Sequence, residues 1–181
     1  MKGVTILSAM LGAVGLLVVS AVTAGAQAES PTPTITSFSQ YLRAIGHNLS
    51  PDEAAFFDAD EPIQAAFTQP LVHLDLLVQV SPEQRNDQWR QAVLSELTRL
   101  VALDPSNAPP APPRLQRLRE LGIAQRTHVW RAARQWLEAL EQDDPDWLER
   151  GGDEFRAARE RMAEWQRELL SIYPYPQPSQ P

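Results

Sequence analysis

Metal or proton-transfer chemistry in this chain of 181 residues would draw first on His47, His73 and His128 and on 23 acidic side chains, because the sequence has no cysteine. Each histidine stands alone. No H-E-x-x-H pair occurs, and nothing completes a zinc set, so the three read as ordinary surface polar groups. The stretch "DADE", Asp58 to Glu61, resembles the opening of a calcium loop. However, Ile63 stands where that loop needs its turn glycine and Gln69 where it needs a bidentate glutamate, so a solvated acidic turn is expected instead. Asp143, Asp144 and Asp146 offer paired carboxylates for acid–base work, yet they fall in "DDPD", a helix connection, where capping uses the same groups.

Nucleophilic and cofactor chemistry lack their parts as well. There is no G-x-S-x-G elbow, no glycine-rich phosphate loop and no C-x-x-C-H haem attachment, and the serines and threonines gather at caps and tails away from any base. A non-covalent haem would want a His or Met on facing helices, and only His47 and Met162 merit a test. The expectation is a non-enzymatic protein with no catalytic residues, no metal and no cofactor.

What remains for recognition is aromatic and basic. Trp130 and Trp147 fall toward the edges of their helical arcs, where edge core is the simpler reading and exposure the sharper one. With Arg126 and Arg134 they are the candidates to line an inter-helix groove for a small ligand or cofactor. The only lysine is Lys2, and beyond residue 28 the chain carries 15 arginines against 23 acids, which argues against a nucleic-acid binder. The charge is lopsided: residues 29 to 87 hold two arginines against nine acids, and residues 88 to 181 hold 13 against 14. The basic run Arg114, Arg117, Arg119, Arg126, Arg131 and Arg134 is therefore expected to lie near the acidic "SPDEAAFFDADE" of the same chain, with an external anionic partner as the competing account.

The N-terminus supplies an address. Lys2, an uncharged apolar run from Val4 to Val22 and the spacing Ala26-Gln27-Ala28 make residues 1–28 a secretory signal peptide, cleaved before Glu29 or Gln27. An uncleaved anchor is the alternative, because a spanning helix needs only about 20 apolar residues. Residues 29–36 read as an extended spacer, 37–173 as one helical-bundle domain, and 174–181 as a Pro-rich disordered tail. The absence of cysteine excludes disulfides and an N-terminal lipid-bearing Cys.

The elements between those tails are helical by period. Phe38, Tyr41, Leu42, Ile45 and Leu49 predict a short amphipathic helix ending near Asn48. "SPDE" from Ser50 and "SPEQ" from Ser81 each match a capping box with Pro at the first helical position. The segment "EPIQAAFTQPLVHLDLLVQV" is ambiguous, since residues 71–80 also alternate like a strand. A lone strand would leave its backbone groups unpaired, so a helix is expected, kinked or restarted at Pro70 and the most buried of all. A third helix spans about Pro82 to Leu103, ended by the stiff "DPSNAPPAPP".

Two further helices, about Pro113 to Gln142 and Pro145 to Tyr173, flank "DDPD", with Asp144 as the N-cap. Their three-four spacing suits an antiparallel pair. Folding them back at Asp144 sets Trp136 opposite Gly151 and Gly152, and Trp165 opposite Gly122. A glycine inside a helix costs about 1 kcal/mol against alanine, and room for an indole would offset that.

The sequence thus predicts an all-α antiparallel bundle of about four longer helices plus one or two short N-terminal ones. The role expected is structural or interactive, in the periplasm or outside the cell, with an unknown envelope or extracellular protein as partner. Membrane contact is expected only through the N-terminal segment if it is retained.

Overall fold

The computed structural model describes residues 35–175. The signal segment, residues 29–34 of the spacer and residues 176–181 of the tail lie outside the described residues.

Helix α1, Phe38–Ala44, starts where the Ser37 hydroxyl accepts the Gln40 amide. It stops short of Asn48 because Gly46 turns into the left-handed region at φ 98°. The amides of Gly46 and His47 then donate back to the Arg43 and Leu42 carbonyls at 3.0 and 2.9 Å, a closed C-terminal motif.

Helix α2, Pro51–Val78, is 28 residues long and begins with the expected capping box. The Glu53 amide donates to the Ser50 hydroxyl at 3.3 Å, and the Ser50 amide donates to the Glu53 carboxylate at 2.8 Å. Pro62 and Pro70 both lie inside this helix without ending it, and residues 71–78 are helical. An internal proline costs about 3 kcal/mol. The helix persists because Phe67, Leu71, Leu74 and Val78, each almost fully buried, hold the segment after Pro62 on the core, and each such burial contributes about 1.5–3 kcal/mol.

The Ser81 box does not form. Pro82–Gln84 make one 3₁₀ turn without a side-chain cap, and α3, Asp87–Val101, starts instead at Asn86, whose side chain accepts the Trp89 amide at 2.9 Å. Arg85, in the intervening turn, donates to the Val78 and Val80 carbonyls at 3.1 Å each, closing the end of α2.

The proline connector leads through a 3₁₀ turn, Pro113–Leu115, into α4, Gln116–Glu141. Asp143, at φ 53°, closes α4 in the same way that Gly46 closes α1: the Asp143 and Asp144 amides donate to the Leu140 and Ala139 carbonyls. The expected single last helix is divided into α5, Trp147–Arg150, and α6, Gly152–Ile172, with Gly151 at the joint. Asp144 is not a helix N-cap; its carboxylate accepts the Asp146 amide at 2.9 Å and the Arg150 guanidinium at 2.6 Å, which fixes the turn.

Side-chain pairs give the directions. His73 meets Glu96 and the Trp89 indole meets the Leu77 carbonyl, so α2 and α3 are antiparallel. Trp130 donates to Val101 and Arg90 reaches Asp143, so α3 and α4 are antiparallel. Arg117 pairs with Glu164 and His128 with Glu154, so α4 and α6 are antiparallel as well. The result is an up-down-up-down all-α bundle, with α1 laid against the start of α2.

Two clusters of buried side chains fill it. The larger joins Phe67, Leu74, Leu97, Val129, Trp136, Trp147 and Phe155. The smaller joins Leu42, Phe56, Phe57, Leu115, Leu118, Leu169 and Tyr173.

Candidate functional site

The four residues singled out for a groove do not share one. Arg126 is fully buried and lies between helices, with one terminal nitrogen 3.2 Å from Asp60 on α2 and the other donating to the Asn107 carbonyl at 3.1 Å. Burial pushes its pKa down, and the Asp60 carboxylate opposes that push. Gln64 donates to the second Asp60 oxygen at 3.2 Å, which completes a polar layer across α2, α4 and the connector.

Gly122 belongs to this layer. A Cβ there would meet Gln64 Nε2 at 3.3 Å and an Arg126 terminal nitrogen at 3.5 Å, so the glycine makes room for the polar network rather than for Trp165. Trp165 instead packs at the margin of the smaller cluster.

Trp147 is core, 5% exposed, and stands edge-on to Trp136 and Trp89 at centroid separations of 5.5 and 6.1 Å. Only Trp130 and Arg134 stay together near the surface. The indole donates to the Val101 carbonyl at 2.9 Å, and the guanidinium lies 5.0 Å above its ring while also pairing with Glu138 at 3.2 Å. This is a cation–π contact of the sort that stiffens a surface.

The expected hollow for Trp136 exists at one glycine and not at the other. A Cβ on Gly151 would fall 3.0 Å from the Trp136 indole nitrogen and 3.2 Å from the Ala132 carbonyl, whereas one on Gly152 would meet nothing within 4 Å. The indole, 2% exposed, donates to the Leu148 carbonyl at 3.2 Å and lies against Phe155. Gly-Gly is therefore the joint between α5 and α6 rather than a helix interior.

The acidic "DADE" is helical, within α2. Asp58 accepts the Ser39 hydroxyl at 2.6 Å, Glu61 accepts the Phe38 amide at 3.2 Å, and Asp60 holds Arg126, so this segment binds α1 and α4 to α2. Arg114 likewise meets Glu53 at 3.3 Å. Two members of the basic run thus find the acidic segment of their own chain.

A further cluster escapes sequence reasoning. Arg114 bonds Glu53, donates to the Ile172 carbonyl at 3.0 Å and lies 5.2 Å over the Tyr173 ring; His47 stands edge-on to that ring at 5.3 Å. Burial pushes Glu53 up, but the Ser50 amide, Tyr173, the Ser50 hydroxyl and Arg114 together hold it below the usual carboxylate range. The Tyr173 phenol is raised by burial and by Glu53, and its hydroxyl is buried without an aligned partner. The only sequence signal was charge complementarity; the residues come from three distant segments. His47 and Met162 are not brought together: Met162 lies eleven residues before Tyr173 on α6, about 16 Å at 1.5 Å per residue.

His73 and His128 each face a glutamate across a helix pair, at 3.1 and 2.6 Å. Among the described residues no three His, Asp or Glu side chains converge as a metal site would need, and no helix is long and apolar enough to cross a membrane. A shallow cleft of about 230 Å³ opens between α2 and the connector, lined by Pro62, Ile63, Ala66, Phe67, Leu103, Asp104 and Asn107. No protein-family model, curated protein or solved structure matches this chain.

Proposed function

We propose that this protein is a non-enzymatic helical scaffold that works outside the cytoplasm by binding another envelope or extracellular protein. The observation that carries this reading is the way Arg126, Trp130 and Trp147, the groups best suited to recognise a small ligand, are used: each joins one element of the bundle to another. The polar groups whose types suit chemistry hold helices together, and the outer surface is left for a partner. The signal-like N-terminus supports the location.

The test uses the full chain expressed with its own leader. Fractionation and N-terminal sequencing should recover a mature form beginning at Glu29 or Gln27. Cross-linking in intact cells should capture one protein in fixed ratio, and the two purified proteins should re-form the complex. A small molecule that co-purifies stoichiometrically, with no protein partner, overturns the reading. That outcome would favour a ligand binder, for which the cleft beside Phe67 and Asp104 is a candidate site, smaller than the roughly 300 Å³ at which ligand pockets begin.

A further inference from the structure

The two buried clusters meet at a polar level that also carries a proline inside α2 and a glycine inside α4. Along α2 the buried apolar residues belong to the smaller cluster up to Phe57 and to the larger from Phe67. Along α4 the change falls between Leu118 and Val129, and along α6 between Ala158 and Leu169. Asp60, Gln64, Gln125 and Arg126 occupy that interval, and the Gln125 side-chain oxygen and Arg126 Nε are buried there with no hydrogen-bond partner. Pro62 lies at the same level and removes the helix bond to the Asp58 carbonyl; Gly122 lies there on α4.

Apolar contact transmits cooperativity because removing one side chain exposes its neighbours; a polar layer can exchange its bonds for water. Among the described residues the larger cluster has sixteen buried members and the smaller has eight, so the smaller has less to lose on opening. The smaller half also carries both ends of the described chain, since Phe38 and Tyr173 pack against Phe57 at 5.2 and 5.9 Å.

We propose that the bundle consists of two cooperative units divided at the Asp60–Arg126 layer. The smaller unit, made of α1, the start of α2, the start of α4 and the end of α6, opens by itself under native conditions while the larger unit, built around Trp136 and Trp147, stays folded. This conformational device is independent of what the protein binds.

Native-state hydrogen exchange in low urea tests it. The amides of Leu42, Phe56, Phe57 and Leu169 should share one protection level, about a hundredfold below that of Leu74, Leu97, Val129 and Trp136, with a shallower urea dependence. Val93→Ala, placed only in the larger unit, should lower protection there and leave the smaller unit unchanged, because that unit opens before the loss is felt. Replacing the polar layer with apolar residues, Asp60→Leu with Arg126→Met, should fuse the clusters and narrow the gap. A single protection level for both sets, a Val93→Ala effect equal in both, or a gap undiminished in the double variant would each overturn the proposal.

Discussion

Replacing Gly151 with alanine isolates the packing of Trp136 from every other contribution of the Gly-Gly joint. The new methyl would sit 3.0 and 3.2 Å from the indole nitrogen and its Cδ1, and 3.2 Å from the Ala132 carbonyl. The carbonyl belongs to α4 and cannot move alone, and the indole is held between Phe155, Trp147 and its bond to Leu148. Overpacking of this kind costs about 1–3 kcal/mol. Alanine returns up to about 1 kcal/mol by restricting the unfolded chain, because Gly151 has φ −93°, which any residue adopts. The net expectation is a loss of about 1–2 kcal/mol. Gly152→Ala is the matched control: nothing lies within 4 Å, and the first position of α6 should gain a few tenths to about 1 kcal/mol. Urea unfolding followed by circular dichroism, with unchanged m-values, reads both. Equal effects of the same sign at the two positions would refute the argument that the hollow belongs to Gly151 alone.

Truncating Trp136 to alanine should cost about 3–5 kcal/mol, measured by the same titration; a loss under about 1 kcal/mol would mean the indole is not a core element. Asp60→Ala leaves a buried guanidinium unpaired and should cost about 3–5 kcal/mol, whereas Asp60→Leu with Arg126→Met should recover most of it, since an apolar pair of similar volume often equals or exceeds a buried ion pair. Glu53 is held below the ordinary 4.5, so its share of stability is present above that pH and is lost as the pH falls through its lower folded value; acid titration of Glu53→Gln should show a shallower decline there than the parent chain. Tyr173 is shifted the other way, so its contribution is present below pH 10.0 and lost above; Tyr173→Phe should flatten the alkaline limb, and an unchanged limb would contradict the buried placement.

How much was readable depended on the range of the interaction. The capping box at Ser50 formed because its parts lie within one turn and need no partner. The box at Ser81 failed although its residues match equally well, because Asn86 offers a competing cap and Arg85 ties the intervening turn to the end of α2. Pro70 is expected to kink the helix or restart it; α2 runs through Pro70 as one helix, because packing on both sides outweighs the missing bond. Register along the α4–α6 pair sets Trp136 beside Gly151 and Gly152 and Trp165 beside Gly122; Gly151 does face Trp136, Gly152 faces nothing, and Gly122 instead serves Arg126, whose partner Asp60 sits on α2, outside that pair.

By itself, then, the sequence determined the class and the direction of the chain: apolar residues at helical spacing, a turn at "DDPD" that folds α4 against α6, and acidic and basic segments that attract each other. Which charges pair, which tryptophans are buried and where the core divides were decided only in three dimensions. Those outcomes depend on the azimuth of each helix about its axis and on contacts among three or more elements at once, and a one-dimensional pattern specifies neither.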